Sequence, residues 1–595
     1  MIDRELTHAE IFPEERLPDP VSLIEKGRQK ARDVTIGPCA FLDHHGVACE
    51  AEYKRRAMAA GDLMFHAQIG FRDPNKTLEA YGGIYRALTQ GGGRLDRFGI
   101  CLDWSMGYPA AQRQGRPRGT GLLMNAESDF AALTAMAPVA PHFGDFVLGM
   151  PAALENTQAA LKAGATAIGN LGQYFTFRLP GWEDDVATTT ATLEALALIA
   201  AQPEKVLVHS NLDDGFAALF ADLACSFGAV LLERYIVEDL LGASLSHCYG
   251  HTFSEPLSRL AFQRALAQQP GAPGTMVYGN TTLYRGDGSE NYAALCSYLS
   301  IDLIAQHLAP TGHAVNPVPL TEASRIPDRD EVVMAQKVGQ RLAERVPDWA
   351  GLIDLAAADR QAATLIQGGM LFKDRVLAGL GAAGVDTQNP LELLLALRRV
   401  GARRLEELFG PGAPNADRPR GRQALIPTTE IRDLESRAKS VIDALTPDQR
   451  TALAGANLSV CVCATDVHEY GKILLEEILK GLGVTTLDGG IHSEPAAIAA
   501  LVKAGRADLV AISTYNGIAL DYLTAVKQAL QAEGLDLPVL IGGRLNQIPE
   551  HSNTSLPMDV TAEIAAAGGI ACAEADQLLD HLLALLPDQD RGAKT

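Results

Sequence analysis

The chain has 595 residues, 47% of them hydrophobic, which is enough for more than one buried core and fits two to four domains. Its formal net charge of −21 weighs against nucleic acid and against an anionic membrane surface as partners, because both repel such a field. The start (MIDRELTHAEIFPEE) is polar and acidic, unlike a signal or transit peptide, and no run reaches the roughly 18 apolar residues of a membrane span. A soluble cytoplasmic protein is the expectation.

Residues 1–60 read as a helical, charged lead-in. From about Asp62 a rhythm begins of short apolar strand, polar loop and amphipathic helix. The strands read DLMFHAQIGF, RFGICLDW, DFVLGMP, ATAIGNL, KVLVHSNL, SLSHCYGH, TMVYGNTT and GHAVNPVP. Eight strand–helix units over about 270 residues (61–330) match the size of a (β/α)8 TIM barrel, with a doubly wound sheet as the rival. Polar residues gather where these strands are expected to end, namely His209, Asn211, His247, His251, Asn280 and His313, with Tyr174 a further candidate for the lining. That face is where barrel active sites are built. His247 and His251 stand four apart across a strand end with no third ligand in view, so no metal site is expected there.

Residues 331–455 are helical and charged, broken at 409–422 by FGPGAPNADRPRGR, which reads as an exposed linker. A second α/β unit, doubly wound and flavodoxin- or Rossmann-like, is expected over 456–590, and the last residues (DQDRGAKT) as frayed. The nine cysteines are scattered, many in apolar runs such as those around Cys225 and Cys296. The close pair Cys461 and Cys463 lies on a predicted strand, where the two side chains are expected to point to opposite faces, so reduced core cysteines are expected. No C-x-x-x-C-x-x-C triplet suggests a radical cluster.

In the second α/β unit, strand LSVCVCA is followed by Asp466-x-His468-x-x-Gly471, which opens a helix. Forty-one residues separate Gly471 from Ser513 at the end of strand ADLVAIS, and twenty-six separate Tyr515 from Gly542-Gly543 at the end of LPVLIGG. Residues at the carboxyl ends of neighbouring parallel strands meet in one crevice. The set resembles the D-x-H-x-x-G, S-x-L, G-G pattern of base-off, histidine-on cobalamin proteins. That resemblance implies a cobalamin whose cobalt takes His468 as axial ligand, with Asp466 holding the other ring nitrogen. It further implies that Gly471 and Gly542-Gly543 let the displaced nucleotide tail pass, and that Ser513 bonds its dimethylbenzimidazole. Tyr515 stands where the family has Leu, a departure that reshapes the nucleotide pocket.

Residues 60–330 in turn resemble the catalytic subunit of glutamate mutase (methylaspartate mutase). HAQIGFRDPNKTLEAYGGIYRALTQGGG is similar to that subunit's first unit and places Arg72 on its first substrate-clamping arginine. FGICLDWSMGYPAAQRQG is similar to the second unit and places Arg113 on the second, with Arg116 and Arg118 as neighbours able to replace it. AGATAIGNLGQYFTF and PVPLTEASRIPD resemble the fourth and eighth units. Such arginines make physical sense, since a radical rearrangement needs its substrate held rigidly, and bidentate arginine–carboxylate pairs do that. The family's third arginine falls at about Val147, and its ribose-binding lysine at about Leu320 or Thr321, with only Glu322 kept. An unpaired carboxylate in a closed pocket is costly, so the substrate implied is a small carboxylic acid related to glutamate rather than glutamate itself.

Together these resemblances imply an adenosylcobalamin-dependent radical isomerase, a carbon-skeleton mutase, acting as a homodimer without nucleic acid or membrane partners. The fused order is closer to 2-methyleneglutarate mutase. A corrinoid methyltransferase carrying methylcobalamin is the alternative, and a non-catalytic cobalamin sensor a third reading.

Overall fold

Many helices of this chain start where an aspartate or asparagine meets proline. Asp19 before Pro20, Asp73 before Pro74 and Asn389 before Pro390 each accept hydrogen bonds from backbone amides of the first turn, while proline supplies a preset φ where no donor is needed. In a computed structural model the chain is described for residues 6–586, apart from 15, 117, 120, 217–218, 280–283, 285–286, 324, 417, 466–469, 492, 516 and 548–557. It divides into two units, Met1–Phe177 with Glu183–Thr429 and Arg178–Trp182 with Glu430–Thr595. Both are mixed α/β with parallel sheets. No helix of the described residues is long and apolar enough to cross a membrane.

In the first unit, β1 (His66–Ile69), β2 (Arg97–Ile100) and β3 (Ala140–His142) form one parallel sheet. A second contains β4 (Ala167–Ile168), β5 (Leu207–Asn211), β6 (Ser244–Tyr249), β7 (Met276–Val277) and β8 (Ala314–Val315), in that order. Isolated parallel bridges join Phe143 to Ile168 and Phe65 to Val315, linking the two sheets at both edges. The third strand is not at DFVLGMP, as the apolar run suggests, but at Ala140–His142. The run itself is an irregular buried loop in which Val147 and Leu148 pack into the core.

Three buried histidines, His66, His142 and His209, meet edge to face across the strand interior with ring centroids 6.0 and 4.4 Å apart. Burial, reinforced by the Arg97 charge, holds all three well below the ordinary histidine range and keeps them neutral. Segment 409–422 is exposed at Ala413, Pro414, Ala416 and Arg418, but it is tied down rather than free. Arg422 donates to the carbonyls of Glu407, Leu408 and Gly412, and Arg420 to that of Leu219. Arginines thus satisfy helix-end acceptors that the Pro/Gly composition would leave to water.

The second unit has β9 (Ser459–Ala464), β10 (Thr485–Ile491), β11 (Leu509–Thr514) and β12 (Val539–Gly543), then a short antiparallel ribbon of β13 (Asn546–Gln547) and β14 (Met558–Asp559), then β15 (Ile570–Cys572). The main sheet is parallel, in the order β10-β9-β11-β12-β15. Both faces are covered, Val460, Val462, Leu509 and Ala511 packing on one side and Val510, Ile512, Val539 and Ile541 on the other. That explains why β9 reads as a continuous apolar run. Cys461 and Cys463 share the second of these faces, not opposite ones, because residues two apart on a strand point the same way.

Candidate functional site

In the second unit the strand order reverses beside β9, and the ladder brings distant residues level at the carboxyl ends. Ser513 pairs with Ala464 on one side and Gly542 on the other, and Thr514 with Gly543. Gly471, near the start of helix Tyr470–Gly481, comes so close that a Cβ there would lie 2.3 Å from Ser513 Oγ. Gly543 has φ +101°, and a Cβ on it would sit 2.4 Å from the Thr514 carbonyl oxygen, so only glycine fits. Gly471, Ser513, Gly542 and Gly543 therefore form one row, with Ser513 buried. Tyr515, at the end of the row, is covered by Arg544, whose guanidinium lies 4.5 Å from the ring centre. Asp466 and His468 fall outside the described residues.

In the first unit, Arg72 follows β1 and donates through Nε and Nη2 to the Gly119 carbonyl at 3.0 and 2.6 Å. Arg113, on the loop after β2, donates to the carbonyls of Met124, Met106 and Tyr108. Both arginines thus brace loops at the strand ends with hydrogen bonds to the main chain. Arg116 lies over the Tyr108 ring and Arg118 is 3.8 Å from Asp103. Glu322 sits on the short turn Leu320–Ala323 after β8, close enough to raise the Cys101 thiol and the Tyr278 hydroxyl, second only to burial itself. His251, just after β6, donates its amide to Asp213. Tyr174 is fully buried and bonds Thr189 rather than lining an opening. His209 lies within β5, and His313 precedes β8, at the opposite end of the strands from the expected one. Asn280 is outside the described residues. Among the described residues, no three His, Cys, Asp or Glu side chains are arranged to hold a metal ion.

No family profile matches this chain, and no curated protein matches it. Among solved structures, one match is the crystal structure of a novel cobalamin-binding protein from Desulfitobacterium hafniense DCB-2. It is 21% identical, covers 25% of this chain and 71% of its own, and superposes with a TM-score of 0.19.

The strand ends also carry a carboxylate pair not singled out from the sequence. Asp214 Oδ2 accepts from Asn170 Nδ2 at 2.8 Å and from Asn211 Nδ2 at 2.9 Å. Asp145, on the loop after β3, is pushed up to about 7 by burial and then by the Asp214 charge, against a hydrogen bond from Asn170. Its place inside the run DFVLGMP hid it, since a residue assigned to a strand is not sought at a strand end. An acid raised in the folded state contributes its full stability below its unfolded value of 3.8, and that contribution is lost as pH rises through about 7. Asp145→Asn removes the titration. The variant is expected to gain melting temperature relative to the parent between pH 5 and pH 8 in thermal unfolding. A constant difference across that window would show that Asp145 titrates normally.

Proposed function

We propose that this protein is an adenosylcobalamin-dependent isomerase acting on a small carboxylic acid, with the eight parallel strands of the first unit forming a (β/α)8 substrate barrel and the second unit holding the corrin. The observation that carries the reading is the row Gly471–Ser513–Gly542–Gly543. These residues, far apart in sequence, meet at the carboxyl ends of adjacent strands at the point where the strand order reverses, where doubly wound sheets bind their ligands. The residues fit the group. Glycine keeps side chains out of the row, where a Cβ on Gly471 or Gly543 would meet Ser513 Oγ or the Thr514 carbonyl, and the buried Ser513 hydroxyl lies there to bond a nucleotide tail. His468, two residues before helix Tyr470–Gly481 in sequence, would supply a ring nitrogen to the cobalt.

When bound, adenosylcobalamin supplies a carbon-centred radical able to take hydrogen from an unactivated carbon. The protein's own task is then to hold the substrate and keep competing hydrogen donors away. At the strand ends the loops braced by Arg72 and Arg113 would shape that pocket, with Glu322, Asp145 and Asp214 presenting carboxylates to polar groups of the substrate. Cys101 lies in this region, and burial followed by Glu322 keeps its thiol protonated.

The test is electron paramagnetic resonance on protein loaded with adenosylcobalamin in the dark without oxygen, against a panel of small carboxylic acids. A cobalt signal coupled to an organic radical should appear with one acid, and should be lost with His468→Ala. Silence across the panel, with methylcobalamin instead demethylated by a thiol or amine, would replace isomerisation by methyl transfer.

A further inference from the structure

We propose that the strand-start face of the first unit, opposite the strand ends discussed above, carries a binding site for a small oxyanion with a short apolar tail. Loops 267–274 before β7 and 309–313 before β8, together with helices Glu50–Ala60, Leu223–Arg234 and Pro256–Ala267, line a half-open cavity of about 240 Å³. That is space for roughly eight waters at about 30 Å³ each, and so for a ligand of some ten heavy atoms.

Its walls are of two kinds. Met58, Val230 and Leu266 with the prolines of the two loops make an apolar side, while Arg55, Arg234 and His313 make a donor side. His313 is only 4% exposed, and its Nε2 has no hydrogen-bond partner. Its Nδ1 is 2.7 Å from Thr311 Oγ1, which itself receives Gln306 Nε2 at 2.9 Å, while Gln306 Oε1 takes the Thr311 amide at 3.2 Å. The Thr311 hydroxyl is also 3.1 Å from Gln306 Oε1, which the Thr311 amide already occupies; donating over the shorter contact to Nδ1 leaves the ring proton on Nε2. A buried N–H without an acceptor is costly, and a ligand oxygen would satisfy it.

Charge points the same way. Arg234 is fixed in the wall by Glu238 at 2.8 Å and by the Pro270 carbonyl, so it is locally balanced. Arg55 is exposed and has no partner among the described residues, which leaves the lining one positive charge in surplus. The apolar side disfavours a bare hydrated ion, so the ligand carries its anionic group on a short hydrocarbon. A carboxylate and a phosphate monoester share this chemistry.

Isothermal titration of the full chain with n-butyl phosphate, butyrate, 1-butanol and inorganic phosphate tests the site. At least one of the two tailed anions should bind, and which one identifies the head group. Butanol and inorganic phosphate should bind at least tenfold more weakly. Arg55→Glu, and separately Ala267→Trp at the exposed rim, should each weaken the tailed anion at least tenfold. Neither substitution touches the row at Gly471 or the strand-end carboxylates, so failure here leaves the isomerase reading intact. No binding of either tailed anion, or binding that survives both substitutions within twofold and therefore lies elsewhere, would overturn the assignment.

Discussion

Replacing Asp302 by alanine is expected to cost about 3–5 kcal/mol and to loosen the loops that follow β6 and β7. Arg259 is almost completely buried, and its guanidinium reaches both carboxylate oxygens of Asp302, at 2.8 and 2.5 Å. The same group donates to the carbonyls of Gly250, Phe253 and Tyr278, so one cation ties together the chain leaving two strands. Without Asp302 its charge stays buried and uncompensated. Urea unfolding gives the cost directly. The double variant Arg259→Met/Asp302→Leu removes the charge as well, but should recover only part of the loss, because three carbonyls then lack their donor. A loss below about 1 kcal/mol for Asp302→Ala would mean that water reaches the guanidinium and that the pair does not hold these loops.

Gly471→Val is expected to weaken cobalamin binding at least tenfold, read by spectroscopic titration, while the far-ultraviolet circular dichroism stays that of the parent. The Cβ would meet Ser513 Oγ at 2.3 Å and Ser513 Cβ at 3.3 Å, and the two methyls would stand where the nucleotide tail is proposed to pass. Gly471→Ala separates the two effects. Alone it should cost about 1–3 kcal/mol of stability through crowding, and in a Ser513→Ala background most of that cost should vanish. Cobalamin binding should stay impaired in the double variant, which lacks the hydroxyl. If Gly471→Val binds cobalamin as tightly as the parent, the row is not the corrin's path.

How much of this was legible beforehand differed between the two units. In the second, both faces of the sheet are buried at β9, β11 and β12, so each of these strands is a plain apolar run and the residues that end it stand out. Ser513 and Gly542-Gly543 lie where their runs end. In the first unit the strands are as short as Met276–Val277, and apolar loops continue the pattern past them. A buried loop such as the one around Val147 and Leu148 has the composition of a strand, which displaced the third strand and concealed Asp145. Depth along a strand is equally invisible, which is why His313 was expected at the wrong end. Arg420 and Arg422 were lost in a linker-like composition, although their role is to bind carbonyls. Arg72 and Arg113 could be placed on loops from their spacing. That their guanidiniums turn toward main-chain oxygens is a matter of side-chain direction, which no spacing encodes.

All nine cysteines are free thiols, and seven of them are buried. Cys225 and Cys248 sit within the interior of the first unit, Cys461 and Cys463 within that of the second, and burial raises each thiol above its ordinary value. Only a thiolate that meets solvent reacts quickly with an alkylating reagent. Each unit therefore carries its own built-in chemical clock: the rate at which its cysteines are modified reports how often that unit opens, independently of the other. The same shielding protects these sulfurs from peroxide for as long as the units stay closed, so oxidative damage to them would follow unfolding rather than cause it.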